Sequence, residues 1–185
     1  GESEEISVDI PSMLVILTDI FDTFMKENIL YEIALLASSD DEIALEFQRA
    51  SLPSLVVGDL MSFIANQHLP LAIRSSSLLE DSLYEPFAGV YLTKMIPNNQ
   101  IDVQTRFQKL TEAIKLVYAS TFFSNAKEYF KATNRDIKQE KMAVILQEVI
   151  GNKHEDLYYP VVSGVARSYN FYPSGNSNPE EGVVN

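Results

Sequence analysis

Apolar and polar residues follow two kinds of spacing along the chain, one of which predicts strands and the other helices. Short apolar runs at Met13–Leu17, Leu69–Ile73 and Met142–Ile150 lie between polar or turn-forming residues, which is typical of buried strands. Phe87–Ile96 is predicted to be a further strand. Val161–Tyr172 is rich in β-branched and aromatic residues, which favours a strand or a hairpin there.

Apolar residues recur at helical spacing in five other segments. Thr18 is expected to cap the first helix, and Ser39 followed by Glu42 reads as a capping box for the second. Helices and strands alternate, but the strands cluster after Leu69, so the pattern predicts an α+β or mixed α/β fold. The predicted helices cover about Thr18–Asn28, Asp40–Arg49, Leu55–Asn66, Val103–Ala119 and Phe122–Thr133.

Charge and composition narrow the classes of partner. The chain of 185 residues has 14 Lys and Arg against 26 Asp and Glu, a net charge of −12. Such a surface repels phosphate backbones, so we expect no nucleic-acid partner, and a bound phosphate must be held locally by one or two cations and backbone N–H groups. Cysteine is absent and only 2 histidines occur, so a thiolate or multi-histidine metal site is not expected. The start of the sequence shows no targeting signal, which indicates a cytoplasmic protein. The apolar runs of the chain are too short to span a membrane.

Arg74 is the first residue that could bind a ligand. It follows an apolar strand and precedes three serines, so its guanidinium and their hydroxyls could hold a phosphate. On chemistry alone, a surface ion pair with Glu80 or Asp81 is the favoured alternative.

Two further segments could line a ligand. Gly89 allows a close approach of the backbone, and Thr93 is expected on the same strand face as Gly89 and Tyr91. The alternative is a packing glycine. Ala143–Val149 is an apolar strand that runs into polar residues, so its end could offer backbone groups to a base. The alternative is an ordinary buried strand with an exposed end.

Several blocks of sequence, taken together and in order, resemble the nucleotide-binding domain of phosphoenolpyruvate synthase and pyruvate phosphate dikinase. The family pattern is an apolar strand, then Arg-Ser-Ser, a short gap, Glu-Asp and a Phe-Ala-Gly strand. The resemblance covers the chain from about Ile10 to the end. The matching blocks are Leu71–Ser82, Phe87–Tyr91, Ala113–Ser120, Glu140–Val149 and Ser163–Ser168.

The resemblance implies an ATP-grasp-like fold, with a mixed or antiparallel sheet and flanking helices, of which this chain is a part. By position, Arg74 matches the arginine that contacts phosphate and acts in catalysis, and Gly89 and Thr93 match positions that line the phosphate side. Gln147 matches the residue at the adenine hinge, where Glu148 and Val149 would supply backbone contacts.

Other features of the family have no counterpart in this sequence. The resemblance implies ATP and Mg²⁺ as cofactors, but the lysine-bearing start and the acidic metal ligands of the family are not found, so no metal ligand is assigned. We therefore expect residues 1–9 to be disordered or added for protein production, and residues 10–185 to be an internal part of the domain. Arg167 receives no firm role: it could pair with an acidic neighbour or reach a phosphate.

The implied activity belongs to a larger parent protein. A phosphoryl group would pass from ATP to a phosphohistidine domain and then to pyruvate bound on a further domain, and this part alone would be inactive. The alternatives are a non-catalytic nucleotide-binding or regulatory module, a dikinase-like enzyme with another acceptor, and, least favoured, a surface-interaction domain without a ligand. The acceptor, the metal ligands and a homodimeric state stay open.

Overall fold

A computed structural model of the protein describes residues 8–79 and 89–184. The chain divides between Val149 and Ile150 into two compact units. Within the described residues, the first unit holds every α-helix and a four-stranded sheet, and the second holds two-stranded sheets. No helix in these described residues is both long enough and apolar enough to cross a membrane.

Five of the helices are those that the apolar periodicity predicts, and one more was not predicted. The additional helix, α2, has seven residues and begins after Ile29, whose φ of 54° lies in the left-handed region and separates it from α1. A segment this short shows barely two turns of periodicity, which is why the pattern misses it. The helices are α1 (Thr18–Glu27), α2 (Leu30–Leu36), α3 (Asp40–Arg49), α4 (Ser54–Asn66), α5 (Val103–Ser120) and α6 (Ser124–Ala132).

The predicted cap of α3 is confirmed, whereas that of α1 is wrong. The Ser39 hydroxyl accepts a hydrogen bond from the Glu42 N–H at 3.2 Å. The Glu42 carboxylate reaches back to the N–H and hydroxyl of Ser38, and these bonds lower its pKa. Thr18 is already the first residue of α1, and Leu17 occupies the cap position without a side-chain bond.

Four antiparallel strands form the sheet of the first unit, in the order β1-β4-β2-β3. Its central strand pair, β4 and β2, places Arg74 opposite Ile145, and β3 places Thr93 opposite Arg74 from the other side. In the described residues every strand pair is antiparallel, so the α+β class holds. The strands are β1 (Met13–Ile16), β2 (Leu71–Ser76), β3 (Thr93–Ile96) and β4 (Ala143–Glu148).

The two faces of this sheet have different environments. Ile73, Val144 and Leu146 point to the face that packs on the hydrophobic core, and each is fully buried. Aromatic rings fill that core, where Phe24 lies 5.8 Å from Phe47 and 5.4 Å from Tyr118 between ring centroids. Alternation then sends the side chains between them to the opposite, open face.

The second unit consists of two short hairpin-like pairs. β5 (Asn152–His154) pairs with β6 (Leu157–Tyr159), and β7 (Ala166–Arg167) pairs with β8 (Val183–Val184). The strand predicted over Val161–Tyr172 is therefore wrong except at β7. The partner of β7 is β8, which lies in the turn-rich tail. Gly182 comes just before β8 and has a φ of 74°, and the strand that follows it runs beside Arg167.

Candidate functional site

The open face of the sheet brings three of the predicted site residues together. Arg74 is exposed on β2, and its Nη1 donates a hydrogen bond to Oε1 of Gln147 on β4 at 2.9 Å. Thr93 lies opposite Arg74 on β3, so its side chain shares the same face. The antiparallel register thus joins residues that are as much as 73 positions apart in sequence.

Apolar side chains surround this polar pair. Met13 and Val15 on β1 are 46% and 44% exposed, and Met95 on β3 is 60% exposed. Ile145 lies between Val15 and Arg74 in register, on the same face. A single guanidinium in a bed of exposed apolar groups suits a ligand that has a flat apolar part and an anionic part.

The ion-pair alternative for Arg74 concerns Glu80 and Asp81, which lie outside the described residues. Within residues 8–79 and 89–184, the partner that we find for Arg74 is the neutral amide of Gln147, and no ion pair is found for it. The bond to Gln147 uses one of five guanidinium N–H groups. As far as the described residues go, Arg74 therefore keeps its charge and further donors on the open face.

Gly89 takes a position that differs from the prediction. It lies in a turn with a φ of 81°, and the strand begins only at Thr93, so Phe87–Ile96 is not a continuous strand; Phe87 and Ala88 are outside the described residues. Tyr91 is buried whereas Thr93 is exposed, so the predicted shared face of Gly89, Tyr91 and Thr93 is wrong. The turn breaks the alternation on which that prediction depended.

Glu148 and Val149 follow Gln147 at the end of β4, and their backbone N–H groups are already engaged. Glu148 donates to the Ser12 carbonyl at 3.0 Å, and Val149 donates to the Pro70 carbonyl at 2.9 Å. Proline has no N–H, so Pro70 cannot return a bond to the Val149 carbonyl. The Val149 carbonyl therefore receives no hydrogen bond from the residue opposite it on β2's side of the sheet.

No group of three or more His, Asp or Glu side chains that could hold a metal ion occurs among the described residues. The described acidic side chains therefore do not fit a Mg²⁺ site, and the expectation that its ligands lie elsewhere stays a prediction.

Glu140 is a buried carboxyl group to which no role could be assigned from the sequence. It is 8% exposed, and Tyr91 donates its hydroxyl hydrogen to Oε1 at 2.9 Å. Burial raises the pKa of Glu140, while hydrogen bonds with Tyr91 and Ser77 offset part of that rise. A glutamate before an apolar strand gives no sign of burial in sequence, because its partners come from distant segments.

Glu140 should make stability depend on pH. Because its pKa is raised in the folded state, ionisation favours the unfolded chain, so its contribution is complete below the ordinary carboxyl pKa and is lost as pH rises through the folded value. We expect Glu140→Gln, compared with wild type, to be relatively more stable at about pH 8 than at about pH 4. Urea unfolding at several pH values measures this, with the exposed Glu128→Gln as the control. A constant difference across that range would contradict the assignment.

Arg167 lies in the second unit and is described there by itself. It is exposed on β7, opposite Val183, and it borders a shallow pocket with Tyr169, Asn170 and Tyr172. These contacts do not assign it a ligand.

Comparison with known proteins gives the family directly. A search of curated proteins found no significant match. The family model described as "pyruvate phosphate dikinase, AMP/ATP-binding domain" matches residues 1–185, which is the whole chain. The resemblance drawn from the ordered sequence blocks is thereby confirmed. The chain belongs to the pyruvate phosphate dikinase AMP/ATP-binding domain family.

Proposed function

We propose that the open face of the sheet binds ATP, with Arg74 contacting its phosphates. The observation that carries this proposal is the placement of Arg74 at the centre of an exposed apolar sheet face, in a chain of an AMP/ATP-binding family. A planar base can lie on apolar side chains such as Met13, which is in register with Gln147, while a guanidinium fork pairs with phosphate oxygens.

The direction of the nucleotide follows from the strand. Val149 is four residues beyond Ile145, which is in register with Arg74, so the two positions are about 13 Å apart along the strand. We place the base near Gln147 and the Val149 carbonyl, which can accept a hydrogen bond from an amino group of adenine. The phosphates then extend toward Arg74 and Thr93, with the Gly89 turn beyond them and the Glu148 backbone behind the base.

In the parent protein, we propose that this domain supplies ATP for phosphoryl transfer of the phosphoenolpyruvate synthase type. The phosphoryl group would pass to a phosphohistidine domain and then to pyruvate. Arg74 would neutralise charge on the transferring phosphates, since phosphoryl transfer depends on positioning and electrostatic stabilisation. Mg²⁺ would be held mainly by residues other than those described here, and this chain alone would not turn over substrate.

Two other functions are consistent with the same face. A nucleotide-binding or regulatory module without catalysis would need the same groups for ATP, and a dikinase-like enzyme could use a different acceptor. A phosphohistidine domain in the intact protein would favour an enzyme, and its absence would favour the non-catalytic module. We propose that the protein acts in the cytoplasm.

Calorimetric titration of the intact protein with ATP, adenosine and inorganic triphosphate tests the proposal. ATP should bind more tightly than either part, because the base uses the apolar surface and the phosphates use Arg74. Equal affinity for ATP and triphosphate would show that the apolar side chains of the open face do not contact the base. Absence of ATP binding would contradict the proposed function.

A further inference from the structure

Two buried polar side chains lie behind the segment that leads into β2. Asn98 follows β3 and is 2% exposed, and Arg106 lies in the first turns of α5 and is 4% exposed. Neither faces the open side of the sheet as Arg74 does. Their side chains instead converge on the backbone of Gln67–Pro70, which connects α4 to β2.

Direct hydrogen bonds join this pair to three consecutive residues of the segment. Asn98 Nδ2 donates to the carbonyls of Gln67 at 2.9 Å and Leu69 at 3.1 Å. Arg106 Nη1 donates to the same Gln67 carbonyl at 2.6 Å and contacts Nδ1 of His68 at 2.9 Å. Side chains from other elements therefore hold the segment at two of its carbonyls, those of Gln67 and Leu69.

The same segment holds the end of β4 in place. Pro70 accepts the hydrogen bond from Val149, and the Gln67 side chain donates to the Ser12 hydroxyl at 3.0 Å. Ser12 in turn accepts the hydrogen bond from Glu148. A shift of Gln67–Pro70 would thus move the Val149 carbonyl, which is the acceptor proposed for the base.

This cluster contributes unfavourable terms to the free energy of folding that a purely structural support would not need. Asn98 has a φ of 50°, in the left-handed region, and burial of the Arg106 guanidinium costs free energy of desolvation. Among the described residues, Asn98 Oδ1 and Arg106 Nε also have no hydrogen-bond partner. Apolar side chains would fill this space at lower cost, but they could not fix the direction of the two carbonyls.

We propose that Asn98 and Arg106 are positioning residues that hold the base end of the nucleotide site through Gln67–Pro70. This inference rests on the proposed function, because it assigns the cluster to the same site. It predicts that the cluster affects recognition of the base and leaves recognition of the phosphates unchanged.

Asn98→Gly tests the proposal, since glycine keeps the left-handed conformation and removes only the amide. The matched control is Asn134→Gly, because Asn134 is exposed and has a similar φ of 53°. In the intact protein, we expect Asn98→Gly to lower ATP affinity about tenfold and to change triphosphate affinity by less than about twofold. Arg106→Lys, which keeps the charge, should retain more ATP affinity than Arg106→Gln.

Amide exchange gives a second readout that needs no nucleotide. Exchange of the Val149 N–H should accelerate in Asn98→Gly while that of the core Leu146 N–H stays unchanged, which also shows that the variant is folded. Equal losses for ATP and triphosphate, or unchanged Val149 exchange, would overturn the positioning role alone. If wild type bound no ATP, the proposed function would fail, and a base-positioning role would fail with it.

Discussion

Replacing Arg74 by alanine should lower the affinity for ATP by about 10- to 100-fold, the loss expected for one charge-assisted hydrogen bond of about 1.5–3 kcal/mol. The guanidinium lies at the centre of the open face, and the partner described for it is the neutral Gln147 amide. Among the residues that the structure describes no carboxylate pairs with it, so we expect its charge to be available to phosphate. Isothermal calorimetry of the intact protein measures the change.

Arg49→Ala is the matched control, because it removes the same charge from the surface. Arg49 is paired with Glu46 at 2.7 Å on α3, so its loss should leave ATP affinity within about twofold. Arg74→Lys should fall between wild type and alanine, since an ammonium keeps the charge and loses the bidentate fork. If Arg74→Ala bound ATP as tightly as wild type, Arg74 would be excluded from the site.

Phe24→Ala should lower the free energy of unfolding by about 3–5 kcal/mol. The Phe24 side chain is fully buried, and its ring packs against Phe47 and Tyr118 at centroid distances of 5.8 and 5.4 Å. Truncation leaves a cavity at the meeting point of α1, α3 and α5, which cannot all move inward. Urea unfolding followed by circular dichroism measures the loss.

Phe171→Ala is the control for this core substitution. Phe171 is 68% exposed, so its truncation should change the free energy of unfolding by less than about 0.5 kcal/mol. Similar effects of the two substitutions would contradict the packing of the aromatic core.

Local sequence signals predicted the parts of the fold that depend on local chemistry. Ser39 and Glu42 indicated the start of α3, and the apolar run at Met142–Ile150 indicated β4, which spans Ala143–Glu148. In both cases residues close in sequence determine the structure. A side chain caps its own helix, and an apolar run becomes a buried strand whichever strands pair with it.

Features that depend on distant partners could not be predicted in this way. The start of β3 at Thr93 depends on pairing with Arg74, and β7 depends on Val183 in the tail. The burial of Glu140 depends on Tyr91, which lies 49 positions earlier. Propensity and periodicity contain no information on such pairings.

The candidate site was predicted in part. Sequence reasoning favoured an ion pair for Arg74, and only the ordered blocks of the family pattern indicated a phosphate role. The register then placed Arg74, Thr93 and Gln147 on one face, which no pattern in the sequence required. The role of Asn98 and Arg106 depends on carbonyl groups, whose direction sequence does not specify.

Methyl NMR during an ATP titration of the intact protein tests most directly whether the open face is the nucleotide site. The methyl groups of Val15 and Ile145 lie on that face, whereas those of Ile73 and Val144 are buried beneath the sheet on the core side. Binding at the open face predicts large shift changes for Val15 and Ile145 and small ones for Ile73 and Val144. Shift changes at saturating ATP that leave Val15 and Ile145 unaffected would contradict it.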